Sequence, residues 1–196
     1  MKKITILFIN IIVFGALNLA EGQNADKEKI SPALLVIDVQ KAFIGMMDQT
    51  SIDESIVYIN AYIESFNQLD FPVIYIYHAN ENQGVAIGSE GYKYIDKIPV
   101  PDDAIIVNKK YMNAFNKTEL DKILKELKCN TLFLCGLSAA GCVYGTWVGG
   151  LDLDYETYVL QQAVMSHDTE VTKMIEDITH SIGPVGMKLT LENIAD

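Results

Sequence analysis

Short continuous apolar runs recur along this chain, separated by amphipathic helical patterns, and that alternation constrains the fold more than any other feature. Ala33–Ile37, Pro72–Tyr77, Ala104–Val107, Thr131–Leu134 and Thr157–Leu160 each read as a strand buried on both faces, with Val185–Leu189 as a plausible sixth. Between them lie helical stripes. Ser51 and Glu54 have the spacing of a capping box, ahead of Ile56, Ile59, Ile63 and Phe66 on one face. Thr118 precedes Leu120, Ile123, Leu124 and Leu127. Asp168 precedes Val171, Met174, Ile175, Ile178 and Ile182, and Gly183-Pro184 reads as the stop. Strands alternating with helices imply an α/β fold: a Rossmann-like three-layer α-β-α sandwich with a mostly parallel sheet of about six strands. Ligands in such sheets bind at the carboxyl ends of the strands.

Residues 1–22 stand apart from this pattern. Lys2 and Lys3 precede an apolar stretch, Ile4–Leu17, and small residues Ala20 and Gly22 follow. This is the order of a signal peptide cleaved before Gln23, and the apolar stretch is short for a stable membrane span. The expectation is export to a periplasm or the exterior, a polar linker over 23–31, and one globular domain over 32–196. The net charge of -11 argues against nucleic acid and anionic membrane surfaces as partners. All 15 basic residues are lysine, so bidentate arginine clamps are absent. Three cysteines are too few for a disulfide framework, and Cys129 and Cys135 flank an extended run too long for them to bridge.

The stretch Cys135-Gly-Leu-Ser-Ala-Ala-Gly-Cys-Val143 has the glycine spacing of a phosphate loop, but Cys142 stands where that loop keeps its lysine. No G-x-G-x-x-G is present either, which excludes a dinucleotide-binding reading. Three reactive residue types then fall at strand ends. Asp38 ends the first strand, Lys109 ends the third, and Cys142 opens the helix after the fourth. A thiol beside a cation and a helix N-terminus is expected to have a lowered pKa. The carboxylate can take its proton and return it to a leaving group. Backbone N–H groups of the Ser138–Cys142 turn could hold an oxyanion. This set suits nucleophilic attack on a carbonyl.

Three segments carry a family resemblance: A-L-L-V-I-D-V-Q-K-A-F (33–43), N-K-K-Y-M-N-A-F-N-K-T-E-L (108–120) and C-G-L-S-A-A-G-C-V-Y-G-T (135–146). In order and spacing the chain resembles the isochorismatase-like cysteine hydrolases, the superfamily of nicotinamidases and N-carbamoylsarcosine amidases. The resemblance implies a catalytic triad of Asp38, Lys109 (rather than Lys110) and Cys142. It also implies a cis peptide at Leu137–Ser138, with the N–H groups of Ser138 and Cys142 as oxyanion hole. Phe43 and Tyr111 are candidate substrate-binding walls, and specificity is expected in the segment 80–101. The implied partner is a small amide, cleaved at its C–N bond through a thioester. A homo-oligomer is possible, and the alternative is an inactive family member that binds or scaffolds.

The chain departs from the nicotinamidase pattern in lacking an Asp-x-His pair. His78, His167 and His180 are scattered, so neither metal nor cofactor is expected. Gln162-Ala163 replaces the family's frequent Asp-Ala, and Gly149-Gly150 is expected to shorten or loosen the helix behind Cys142.

Export predicts that the mature protein begins near Gln23. N-terminal sequencing of the secreted form checks this, and a membrane-bound product that retains Met1 would reverse it.

Overall fold

The computed structural model describes residues 29–195; the expected signal segment and residues 23–28 of the linker lie outside them. The sheet has six strands in the order β3-β2-β1-β4-β5-β6: β1 (Pro32–Ile37), β2 (Val73–His78), β3 (Ile105–Lys109), β4 (Thr131–Leu137), β5 (Glu156–Met165) and β6 (Ser181–Ile182). Every pairing is parallel. Six helices join or follow them: α1 (Lys41–Ile44), α2 (Ile52–Gln68), α3 (Leu120–Glu126), α4 (Tyr144–Leu151), α5 (Thr169–Ile178) and α6 (Pro184–Ala195).

The first strand shows why the apolar runs are unbroken. Leu34 and Val36 pack toward Ile59 and Phe66 of α2 and Met187 and Leu191 of α6. Ala33, Leu35 and Ile37 pack on the other face with Leu120 and Leu124 of α3 and Ile175 of α5. All five of these strand residues are inaccessible to solvent. Each face must therefore be apolar, and period-two alternation of polar and apolar residues disappears.

Several local expectations change. Val185–Leu189 is the start of α6, not a strand. Met187, Leu191 and Ile194 are buried at helical spacing, and Pro184 opens the helix, where its missing N–H costs no bond. The last strand is the two-residue β6, so α5 stops at Ile178 and excludes Ile182. Ser51 makes no side-chain cap; its hydroxyl donates to the Asp48 carbonyl. The α3 cap position is Glu119, although the Thr118 hydroxyl still accepts from the Leu120 N–H at 3.3 Å. Asp168 does cap α5, accepting from the Glu170 N–H at 2.8 Å. Gly149 and Gly150 let neighbouring segments pack close against α4, a short helix that ends at Leu151. A Cβ on Gly149 would run into the Asn113 side chain, and one on Gly150 into the Thr157 hydroxyl.

Gly136 sets the distance between the two central strands. Its φ is +109°, and a Cβ there would collide with the backbone of Ile37, its register partner on β1. The β4–β5 register shifts at the same level, between Leu134 and Gly136. Gly136→Ala should destabilise the protein by about 2–3 kcal/mol, because it adds both a forbidden φ and a backbone clash. Urea unfolding of the variant beside the wild type measures the loss.

Candidate active site

Neighbouring strands deliver four side chains in a row. Lys109 comes from the end of β3, His78 from the end of β2, Asp38 from the residue after β1, and Cys142 from the turn after β4. The strand order reverses between β1 and β4, and Asp38 and Cys142 lie at that switch point, where open α/β sheets leave a crevice. Lys109 pairs in register with His78, so its side chain crosses the end of β2 to reach β1.

There the Lys109 Nζ donates to Asp38 Oδ2 at 2.6 Å and to Cys142 Sγ at 3.1 Å, and it lies 3.4 Å from His78 Nδ1. Asp38, His78 and Lys109 are all buried, while Cys142 is partly exposed. The second carboxylate oxygen, Asp38 Oδ1, is buried and has no hydrogen-bond partner. Asp38 itself takes a left-handed backbone, φ +51°, a conformation that Asp and Asn tolerate better than most residues.

The flanking residues of each motif hold this row in place. Gln40 is fully buried and clamps the backbone of His78. Its Oε1 accepts from the His78 N–H at 2.8 Å, and its Nε2 donates to the His78 carbonyl at 3.0 Å and to the Tyr92 carbonyl at 2.8 Å. The Tyr94 hydroxyl is shared between the carbonyls of Val36 and Ile76, just below the strand ends. The stretch from Asn113 to Phe115 ties the loop after Lys109 to the helix after Cys142, with the Ala114 N–H donating to the Thr146 hydroxyl at 3.1 Å.

The peptide Leu137–Ser138 is cis, and residues 139–143 form a π-helical turn that leads into α4. The Ser138 carbonyl accepts from the N–H groups of both Gly141 and Val143. Those two donors are thus committed to the turn.

Phe43 packs edge-on against the His78 ring, with centroids 5.7 Å apart. Tyr111 is not brought to the cluster by any contact among the described residues. It is exposed, and the Lys117 ammonium lies over its ring. A cleft of about 370 Å³ opens beside Lys109, lined by Asn80, Glu81, Asn82, Val85, Asn108 and Lys110 among others.

His78 is the site residue that sequence alone left unassigned. One signal pointed to it: it ends a strand on the same sheet edge as Asp38 and Lys109. Along the chain the histidines are scattered, but the fold brings His78 to Asp38 and Cys142, with donor atoms within 4.8 Å of one another. That set does not fit a divalent metal, because the ammonium of Lys109 already faces all three donors.

The expectation of an acidic Cys142 is overturned. Burial pushes its thiol up to about 12, the Asp38 carboxylate adds to the rise, and Lys109 only partly opposes it. The lysine charge is largely neutralised by its own carboxylate partner, so the thiol faces an ion pair rather than a free cation. Burial also raises Cys129 and Cys135.

Comparison with known proteins identifies an isochorismatase domain over residues 32–186. The isochorismatase family protein YrdC of Bacillus subtilis is 28% identical over 137 residues, covering 67% of this chain and 72% of that protein. The secreted isochorismatase effector Isc1 of Verticillium dahliae is 24% identical over 139 residues, 69% of this chain and 73% of that one. The crystal structure of N-carbamoylsarcosine amidase from Thermoplasma acidophilum superposes with a TM-score of 0.68 at 24% identity, covering 79% of this chain and 95% of that one.

A raised thiol pKa has two measurable consequences. Iodoacetamide should label Cys142 before the buried Cys129 and Cys135, at a rate that climbs from pH 7 to 10; a plateau in mild acid, read by mass spectrometry, would contradict it. The folded chain also retains a proton that the unfolded thiol loses above its ordinary pKa of 9. This stability is therefore lost as pH rises from about 9 toward 12. Urea midpoints should fall less between pH 8 and pH 10 for Cys142→Ala than for the wild type.

Proposed function

The chain belongs to the isochorismatase family, and from that premise we propose that it is a cysteine hydrolase cleaving the C–N bond of a small amide, with Asp38, Lys109 and Cys142 as its triad. One observation carries the reading. A single buried ammonium contacts both a carboxylate and the only partly exposed thiol, while the other carboxylate oxygen is buried without a partner.

The orphaned Asp38 Oδ1 is the acceptor for the thiol proton. Transfer of that proton turns a thiol beside a carboxylate into a thiolate beside a carboxylic acid, and Lys109 remains the counter-ion throughout. No net charge is added to the buried site, so a thiol that resists ionisation into solvent can still ionise internally. The thiolate attacks the amide carbonyl and the oxygen becomes anionic. The family resemblance makes the N–H groups of Ser138 and Cys142 the candidate donors to it; those of Gly141 and Val143 are already held by the Ser138 carbonyl. Asp38 returns its proton to the leaving nitrogen as the C–N bond breaks, leaving a thioester on Cys142. Water, deprotonated by Asp38, then releases the acid and the thiol.

Substrate choice is assigned to the 80–101 segment, part of which lines the cleft beside Lys109; Cys142 is not among the residues lining that cleft. Its lining comes from the 80–101 segment and the end of β3 and is rich in amide side chains, which suits a small polar amide. Phe43 contributes through its packing on His78. We also assign the protein to export. The order of charged, apolar and small residues over 1–22 supports this, and the Verticillium relative is a secreted protein. No helix among the described residues is long and apolar enough to cross a membrane.

Screening an amide library for ammonia release by the mature protein tests the activity. Cys142→Ala should abolish release, and Asp38→Asn should lower it by roughly 10²–10⁴-fold, the range for loss of a general base. Asparagine tolerates the left-handed backbone at position 38 but leaves the buried Lys109 charge without its carboxylate partner, so circular dichroism must first show that the variant folds. Ammonia release undiminished in Cys142→Ala would sink the mechanism. An unreactive Cys142 with no turnover on any amide would favour the scaffolding alternative.

A further inference from the structure

An ammonium carries three N–H donors, and the structure sets an acceptor opposite each one on Lys109. Asp38 Oδ2 and Cys142 Sγ, at 2.6 and 3.1 Å, belong to the proposed reaction. The third, His78 Nδ1 at 3.4 Å, has no part in it. We propose that His78, oriented by Gln83 and Gln40, is a positioning residue that holds the Lys109 ammonium in line between Asp38 and Cys142. The inference rests on the hydrolase reading.

Four observations support it. The Lys109 side chain is fully buried, so no water substitutes for a missing acceptor without opening the site. The ring must also be the right tautomer. A lysine ammonium cannot accept a hydrogen bond, so Nδ1 is bare and the imidazole proton sits on Nε2. There it meets Gln83 Oε1 at 2.5 Å, an acceptor that favours the same tautomer.

The backbone is held independently of the ring. Gln40 takes both the N–H and the carbonyl of His78, while Phe43 packs edge-on against the imidazole. Topology supplies the fourth. Lys109 and His78 are register partners on adjacent strands, and Lys109 passes His78 on its way to Asp38. An imidazole serving only as filler would have no need of a fixed tautomer or a glutamine at its outer nitrogen.

The experiment measures the second-order rate of Cys142 alkylation by iodoacetamide at pH 8, on the full mature chain, with mass spectrometry to assign the labelled thiol. This probe needs no knowledge of the natural substrate. His78→Leu keeps bulk but removes the acceptor, and should slow labelling by about tenfold, as if the thiol pKa had risen by about one unit. His78→Asn can place an amide oxygen near the Nδ1 position and should recover most of the rate, a rescue that a purely structural role would not produce. Gln83 is exposed, so Gln83→Leu should fold normally and slow labelling by a smaller factor.

The inference is overturned if His78→Leu labels at the wild-type rate, or if Gln83→Leu does so where His78→Leu fails to fold. It is also overturned if His78→Asn is as slow as His78→Leu. If wild-type Cys142 is no more reactive than Cys129 and Cys135, the hydrolase reading falls and takes this inference with it. A selectively reactive wild-type Cys142 with unaffected variants removes the role of His78 alone.

Discussion

A buried ion pair between Asp38 and Lys109 organises everything around it. The two side chains are almost inaccessible and meet at 2.6 Å. Taking two charges out of water costs several kcal/mol per ion, and direct attraction alone often fails to recover that cost. Further hydrogen bonds must supply the difference. The remaining lysine donors face Cys142 and His78, so the thiol and the imidazole help to solvate the cation as well as standing at the site of chemistry. What is left over is one carboxylate oxygen without a partner. An uncompensated buried acceptor is a liability for stability and an asset for a base.

The pair also explains demands placed on its own backbone and on residues that never touch it. Asp38 must turn out of β1 at once, and its left-handed backbone does this. The end of β2 must not drift, and Gln40 replaces the missing sheet partner there with a two-point side-chain clamp. β4 must come close enough to bring its turn over Asp38, and Gly136 removes the Cβ that would prevent it. Loop 113–115 must follow α4 so that lysine and cysteine keep a common frame, and Thr146 provides the tie.

Much of this was readable in the chain itself. The parallel sheet followed from unbroken apolar runs, because a strand covered on both faces has no polar side to alternate. The placement of Asp38, Lys109 and Cys142 at one edge followed from strand order and from the three motif segments. What escaped had physical causes. Val185–Leu189 is too short a run to separate a strand from the first turn of a helix; Leu191 and Ile194 decide it, and they lie beyond the run. The direction of the Cys142 shift differs from the expectation because sequence places a lysine and a carboxylate at one edge without showing that they pair with each other, nor the depth of burial. Tyr111 is a candidate wall by sequence, yet residues following an edge strand are free to turn outward, and its ring is exposed under Lys117. His78 could be seen at a strand end, but a lone histidine says nothing about which nitrogen faces what.

The row of four side chains also makes the sheet a ruler. Lys109 belongs to the outermost strand and Asp38 follows the third strand from that edge, so the two side chains and their hydrogen bond together must span two inter-strand intervals of roughly 4.8 Å each. That interval is fixed by backbone hydrogen bonding and cannot be adjusted by evolution. Only a long, slender cation can cross it from an edge strand above the end of the intervening one. The identity of this cation is therefore dictated by the architecture as much as by its charge. In an α/β sheet that places its acid at the switch point and its cation at the rim, side-chain length becomes a selected property.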